Sequence, residues 1–163
     1  MFVRTAGERD LAAVRDLLVE TWHATYDDLY GAERVTGITD DWHSLQALRR
    51  RLEMPNGEFL VADDGNRIGG MAFADAASDG KSVTLRQLYV RPAFQGRGVG
   101  GMLLDEIIES FPEAMLFRLE VEEANAGAIG FYRSQGFEQA GRTANCGAAD
   151  SGIPALVFER VRG

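Results

Sequence analysis

The sequence holds one cysteine, Cys146, and two histidines, His23 and His43, among 163 residues. One thiol excludes an internal disulfide, and nothing near the amino terminus has a basic segment followed by an apolar one. A reducing cytoplasm is therefore the expected setting. So few scattered His and Cys do not provide the clustered ligands of a metal site, and none is expected. No apolar stretch approaches the roughly 20 residues of a membrane-spanning helix. Basic residues are also scarce: 17 Lys and Arg face 25 Asp and Glu, a formal net charge of -8, which argues against nucleic acid as a partner. Repeats, low-complexity tracts and linkers are absent too. With 45% hydrophobic and 26% charged residues, disorder is not expected either. At this length a single domain, residues 1–163, is the expectation.

Several segments carry clear secondary-structure signals. "MFVRTA" reads as a strand, and "GERDLAAVRDLLVETWHATY" as a helix with Leu11, Val14, Leu17, Leu18 and Trp22 at helical spacing. "DDLYGAERVTGITD" is polar and broken by Gly31 and Gly37, so it reads as a connection before a second helix over "DWHSLQALRRRLE", which Pro55 stops. Two strands flank Asp64-Gly65, a dipeptide suited to a hairpin turn, and a third runs from Val83 to Val90. A helix follows the glycine-rich stretch to about Ser110, with Met102, Leu103, Leu104, Ile107 and Ile108 on a broad apolar face, and Pro112 closes it. "AMLFRLEVE" is a further strand. "NAGAIGFYRSQGF" is a helix with Asn125 as N-cap and Gly136 as its left-handed C-terminal residue. "EQAGRTAN" and "IPALVFERV" form a closing pair of strands across "CGAADSG". The class is α/β: a mixed, largely antiparallel sheet of six to seven strands flanked by about four helices.

The chemistry concentrates in "FQGRGVGGMLLDEII". A helix beginning after a glycine turn aims unpaired amides and the positive end of its dipole at whatever lies in front, and phosphate suits that place. Glycines admit the phosphate to the amides and accommodate positive φ. Gly96-x-Gly98-x-x-Gly101 matches a dinucleotide fingerprint, and Glu120 and Glu122 fall about 20 residues on, where a ribose-binding acid belongs. Yet "RPAFQ" separates Val90 from Gly96, and too little chain remains for further parallel βαβ units. A P-loop would need Gly-Lys-Ser/Thr, whereas Met102 follows Gly101.

"LYVRPAFQGRGVGGMLLDEI" followed by "LEVEEANAGAIGFYRSQGF" resembles the GCN5-related N-acetyltransferase (GNAT) superfamily over Leu88 to Phe137. The resemblance implies acetyl-CoA as cosubstrate. The backbone of Leu88, Tyr89 and Val90 would pair with its pantetheine arm, and Gln95, Gly96, Arg97, Gly98, Val99, Gly100 and Gly101 would hold its pyrophosphate. It also implies a cofactor contact from Asn125, which equally serves as a cap, and a proton from Tyr132 to the departing thiolate. A phenol with an ordinary pKa near 10 is protonated at neutral pH and can do this.

The attacking amine must lose a proton, and the strand Val83 to Val90 offers no base on either face. Glu120, Glu122, His23 and water remain open for that role, with a solvent-facing Glu equally expected at either position. Between Glu20 and Asp41 the carboxylates of Glu20, Asp27, Asp28, Glu33, Asp40 and Asp41 face Arg34 alone. In the resembled family this segment walls the acceptor site, so a cationic amine would be drawn there; a solvated acidic surface is the plainer account. Trp22, His23, Tyr26 and Tyr30 could line an acceptor pocket, although Trp22 suits the core better. His43 shows no partner, and Cys146 lacks a base that would make it a nucleophile. The resulting expectation is an N-acetyltransferase moving an acetyl group by direct transfer to a small-molecule amine, a polyamine or a peptide N-terminus. The alternative is a non-catalytic acyl-CoA-binding module. Paired strands at the carboxyl end offer an edge for a homodimer.

Overall fold

The computed structural model describes residues 1–146 and 152–162. Residues 147–151 of the glycine-rich "CGAADSG" connection lie outside it, as does residue 163. The strands are β1 (Phe2–Thr5), β2 (Gly57–Asp63), β3 (Ile68–Ala76), β4 (Ser82–Val90), β5 (Leu116–Glu122), β6 (Glu138–Thr143) and β7 (Ala155–Val161). The helices are α1 (Leu11–Tyr30), α2 (Ala32–Trp42), α3 (Leu45–Glu53), α4 (Val99–Ser110) and α5 (Ala126–Ser134). Strand order is β1-β2-β3-β4-β5-β7-β6. β4 and β5 run parallel, whereas β1–β2, β5–β7 and β6–β7 run antiparallel. The mixed, mostly antiparallel α/β class read from the sequence is the one observed. Two compact units divide the chain: Met1–Ala74 with Gln87–Ser110, and Asp75–Arg86 with Phe111–Gly163.

In the first unit, α1 buries Leu11, Val14, Leu17, Leu18, Trp22 and Tyr26, the three-and-four spacing of a helix with one apolar face. Leu11, Val14, Leu17 and Leu18 pack with Phe59, Val61, Met71 and Phe73 from β2 and β3, whereas Trp22 and Tyr26 pack with Val35. Arg4 on β1 bonds Asp10 at 2.8 Å and Asp63 at 3.1 Å, and Asp10 also accepts the Gly7 amide, so one carboxylate orients the entry to α1. Arg4 holds the Asp10 carboxyl below its ordinary range.

The polar stretch read as a connection is helical: residues 27–30 end α1 and residues 32–40 belong to α2. Gly31, at φ 84°, separates it from α1 without forcing the chain out of helix for more than one residue. Val35 and Thr39, four apart, are buried and give α2 an inward face that polarity alone obscures. Gly37 is exposed, with open space around it, and is tolerated inside the helix. The expected second helix is also divided, because Ser44 accepts the Ala47 amide at 3.1 Å and caps a fresh start at α3. On α4, Val99, Leu103, Leu104 and Ile107 are buried; Met102, expected on that face, is exposed. It lies to one side of the Val99, Leu103, Ile107 stripe.

The second unit has β7 between β5 and β6, with a register slip between Gln139 and Gly141. Its buried side chains include Phe117, Leu119 and Val121 from β5 and Val157 and Phe158 from β7. Asn125 caps α5 by accepting the Ala128 amide at 3.1 Å, and Gly136 takes φ 89° just beyond the helix, as the sequence indicated. Among the described residues, no helix is long and apolar enough to cross a membrane.

Candidate functional site

The chain leaving β4 is tied down at once. The Arg91 amide donates to Gly69 O at 2.8 Å. Its guanidinium donates to Ile68 O at 2.9 Å, Ala13 O at 3.1 Å and Glu20 Oε2 at 3.1 Å. This charge, 9% exposed, is thereby satisfied, and β4 is fixed to β3 and α1. A single 3-10 turn, Pro92–Phe94, follows. Phe94 lies flat against β3: a Cβ on Gly69 would sit 2.7 Å from the ring's Cγ. A Cβ on Gly70 would lie 3.0 Å from Leu103 and 3.1 Å from Val99, so the second glycine lets α4 settle close to the strand. Neither Arg91 nor this Gly69-Gly70 seat was singled out in the sequence. Paired glycines inside an otherwise apolar strand are the signal that marks such an approach.

The Gln95 carboxamide donates to Val90 O at 3.0 Å and braces the turn. Gly96 at φ 77° and Gly98 at φ 80° then occupy the left-handed region, where a side chain is strained. The first intrahelical bond of α4 runs from Met102 N to Gly98 O at 3.1 Å. The amides of Gly98, Val99, Gly100 and Gly101 lie ahead of it at the positive end of the helix dipole, an arrangement that accepts an anion. Gly100 and Gly101 thus belong to the first turn of α4 and not to the loop before it. The Val99 side chain is buried, which leaves its amide as the group for a ligand. Arg97 is exposed, with its guanidinium 5.6 Å from the Phe94 centroid. Leu88, Tyr89 and Val90 are half-buried, and the Tyr89 ring packs beside Trp22 and His43.

The acidic segment is partly neutralised. Glu20 pairs with Arg91 at 3.1 Å, Asp40 with Arg15 at 2.8 Å, and Asp27 Oδ1 lies 2.6 Å from His23 Nδ1. Asp28, Glu33 and Asp41 are exposed. His23 Nε2 lies 3.3 Å from the Thr36 hydroxyl. Trp22 and Tyr26, each 1% exposed, are core residues and do not line an open pocket. His43 is buried against Trp22, Trp42 and Tyr89, and neither ring nitrogen finds a hydrogen-bond partner among the described residues. Burial, with the nearby Arg51 and Arg15 charges, lowers its pKa to about 3, so the ring is neutral.

Tyr132, Asn125, Glu120, Glu122 and Cys146 lie in the second unit. The Tyr132 ring packs edge-on to Phe131 and Phe137, with centroids at 5.2 and 5.8 Å. Burial, then the Glu122 charge, pushes its phenol above the ordinary range, so it holds its proton throughout the working pH range. Strand alternation puts Glu120 and Glu122 on one face of β5, but Glu120 is exposed and Glu122 is buried. The Cys146 thiol lies 3.8 Å from Glu122 Oε1. Burial and the charges of Glu122 and Glu120 push that thiol upward, which keeps it protonated and a poor nucleophile. Among the described residues no group of three or more His, Cys, Asp or Glu could hold a metal ion.

Comparison with known proteins finds a family match for the chain. A family model described as "Acetyltransferase (GNAT) family" matches residues 11–137, more than half of the chain. An N-alpha-acetyltransferase RimI of Mycobacterium tuberculosis is 32% identical over 108 residues, which cover 64% of this chain and 66% of that protein. A ribosomal protein bS18-alanine N-acetyltransferase of Salmonella typhimurium is 39% identical over 83 residues, covering 50% of this chain and 53% of that one. The matched stretches thus span about half to two thirds of these relatives. A crystal structure of the PaiA N-acetyltransferase from Thermoplasma acidophilum in complex with coenzyme A shares the fold, with a TM-score of 0.86, 20% identity and coverage of 99% and 98% of the two chains.

Proposed function

The chain belongs to the acetyltransferase (GNAT) family, and from that premise we propose that it moves an acetyl group from acetyl-CoA to a primary amine, the α-amino group of a peptide or protein chain being the acceptor class. The observation that carries this reading is the left-handed Gly96 and Gly98 pair leading into the amides that open α4, a cradle whose glycines a diphosphate could approach closely. The two relatives named for α-amino and alanine acetylation support the acceptor class. The exposed carboxylates of Asp28, Glu33 and Asp41 would favour an acceptor that arrives as an ammonium.

The transfer is direct. A neutral amine attacks the thioester carbonyl, the carbon–nitrogen bond forms as the carbon–sulfur bond breaks, and the amine proton passes to a base. Glu120 and Glu122 are the carboxylates this reading offers as that base, and separate Gln substitutions distinguish them. Tyr132 supplies the proton that completes the CoA thiol. Its raised pKa makes it a poor acid toward a free thiolate, so it acts first as a hydrogen-bond donor to the sulfur as negative charge develops there.

The test is thiol release from acetyl-CoA across peptides with varied first residues, polyamines and amino acids, alongside calorimetric titration of acetyl-CoA. Acceptor-dependent release strongest with peptides is expected. Binding without release from any acceptor would favour a non-catalytic acyl-CoA module. Absence of acetyl-CoA binding would refute the reading of the loop.

A further inference from the structure

We propose that Arg67, on the β2–β3 connection, is a phosphate-binding residue for the cosubstrate, working with Arg97 beside the glycine loop. This rests on the acetyl-CoA reading above and extends it to a residue outside both sequence motifs. The two arginines share the Phe94 ring. The guanidinium carbon of Arg67 is 5.3 Å from the Phe94 centroid, and that of Arg97 is 5.6 Å from the same centroid. Gly69 makes the meeting feasible, since the ring occupies the space its missing side chain leaves on β3.

The backbone that carries Arg67 is firmly set. Asp63 Oδ1 accepts the Gly65 amide at 2.7 Å, and Asp64 Oδ1 accepts the amides of Asn66 and Arg67, both at 2.8 Å. Asp64 feels the Arg67 charge, but that oxygen is engaged by the turn. Among the described residues neither Arg67 nor Arg97 forms an ion pair, although the chain carries an excess of carboxylates. Two cations held at 5.3 and 5.6 Å from one ring centre make the local potential positive. The ring attracts each cation, and an anion near both offsets that potential. The open amides of Gly98 to Gly101 already favour an anion at the neighbouring turn, and a guanidinium fork matches phosphate oxygens. Acetyl-CoA offers two sources of that chemistry, its diphosphate and its 3'-phosphate.

Calorimetric titration of the full chain and of Arg67→Gln with acetyl-CoA and with its 3'-dephospho form, at low and high salt, tests this. Turnover of S-acetylpantetheine, which has no phosphate, is the control. Arg67→Gln is expected to weaken acetyl-CoA binding roughly tenfold, the size of one charge-assisted contact, and to reduce its salt dependence. S-acetylpantetheine should keep its kcat/KM. A loss that disappears with the dephospho form assigns the contact to the 3'-phosphate; one that persists assigns it to the diphosphate. Acetyl-CoA affinity within twofold of the parent, or an equal loss with S-acetylpantetheine, would overturn the proposal. Failure of the parent itself to bind acetyl-CoA would instead refute the acetyl-CoA reading.

Discussion

His43 makes the stability of this protein sensitive to mild acid, and the effect can be worked from its surroundings. Burial lowers the ring from its ordinary 6.5 to about 3. Above pH 6.5 the imidazole is neutral in both the folded and unfolded chains, so stability is full there. As pH falls below 6.5, the unfolded chain takes up a proton that the folded one refuses until about pH 3, and stability declines by at most about 1.4 kcal/mol per pH unit. Between pH 7 and pH 5 the loss from this group is about 2 kcal/mol. His43→Leu removes the titration and also the two ring nitrogens that lack partners, so at pH 7 it should be near neutral in stability. The assay is urea unfolding of parent and variant at both pH values. Carboxylates common to both proteins cancel in the double difference. A double difference below about 0.5 kcal/mol would refute the reasoning, because the ring would then titrate as it does in solvent.

Three further substitutions probe the site. Gly69→Ala places a Cβ 2.7 Å from the Phe94 ring; a cost of about 1–3 kcal/mol and weaker acetyl-CoA binding are expected by chemical denaturation and calorimetry, and unchanged values would show that Phe94 does not need this seat. A Cβ on Gly98 would meet nothing within 4 Å, so the effect of Gly98→Val is expected from backbone strain at φ 80° and from a side chain added beside the amides; a strain of roughly 1–2 kcal/mol with loss of acetyl-CoA binding is expected, and retained binding would remove the loop as the phosphate site. Tyr132→Phe keeps the ring packing and deletes the hydroxyl; calorimetry should show intact acetyl-CoA binding, while kcat falls roughly 100-fold or more, and an unchanged kcat would exclude Tyr132 as the proton donor.

The glycine loop was legible because its signal is local. The order strand, left-handed glycines, apolar helix fits within a few residues, and the family match over residues 11–137 agrees with the resemblance drawn from it. Asn125 as a cap and Gly136 past the helix end were readable for the same reason, since each satisfies backbone groups within its own turn. α2 was not, because its inward residues, buried Val35 and Thr39 with half-buried Ile38 and Trp42, are interleaved with polar ones and Gly37, and the Trp22, Tyr26 and Tyr89 rings of their cluster come from α1 and β4.

The sequence by itself thus determined the α/β class, the glycine turn that opens α4 and the residue types available for chemistry. Tertiary structure alone decided which of two like carboxylates on β5 is buried, that His43 is neutral, and that Arg67 and Arg97 share one ring. Hydrogen-bonded turns and helical periodicity are properties of neighbouring residues, whereas desolvation and charge pairing depend on atoms brought close from distant parts of the chain. The second kind of information sets protonation and ligand affinity.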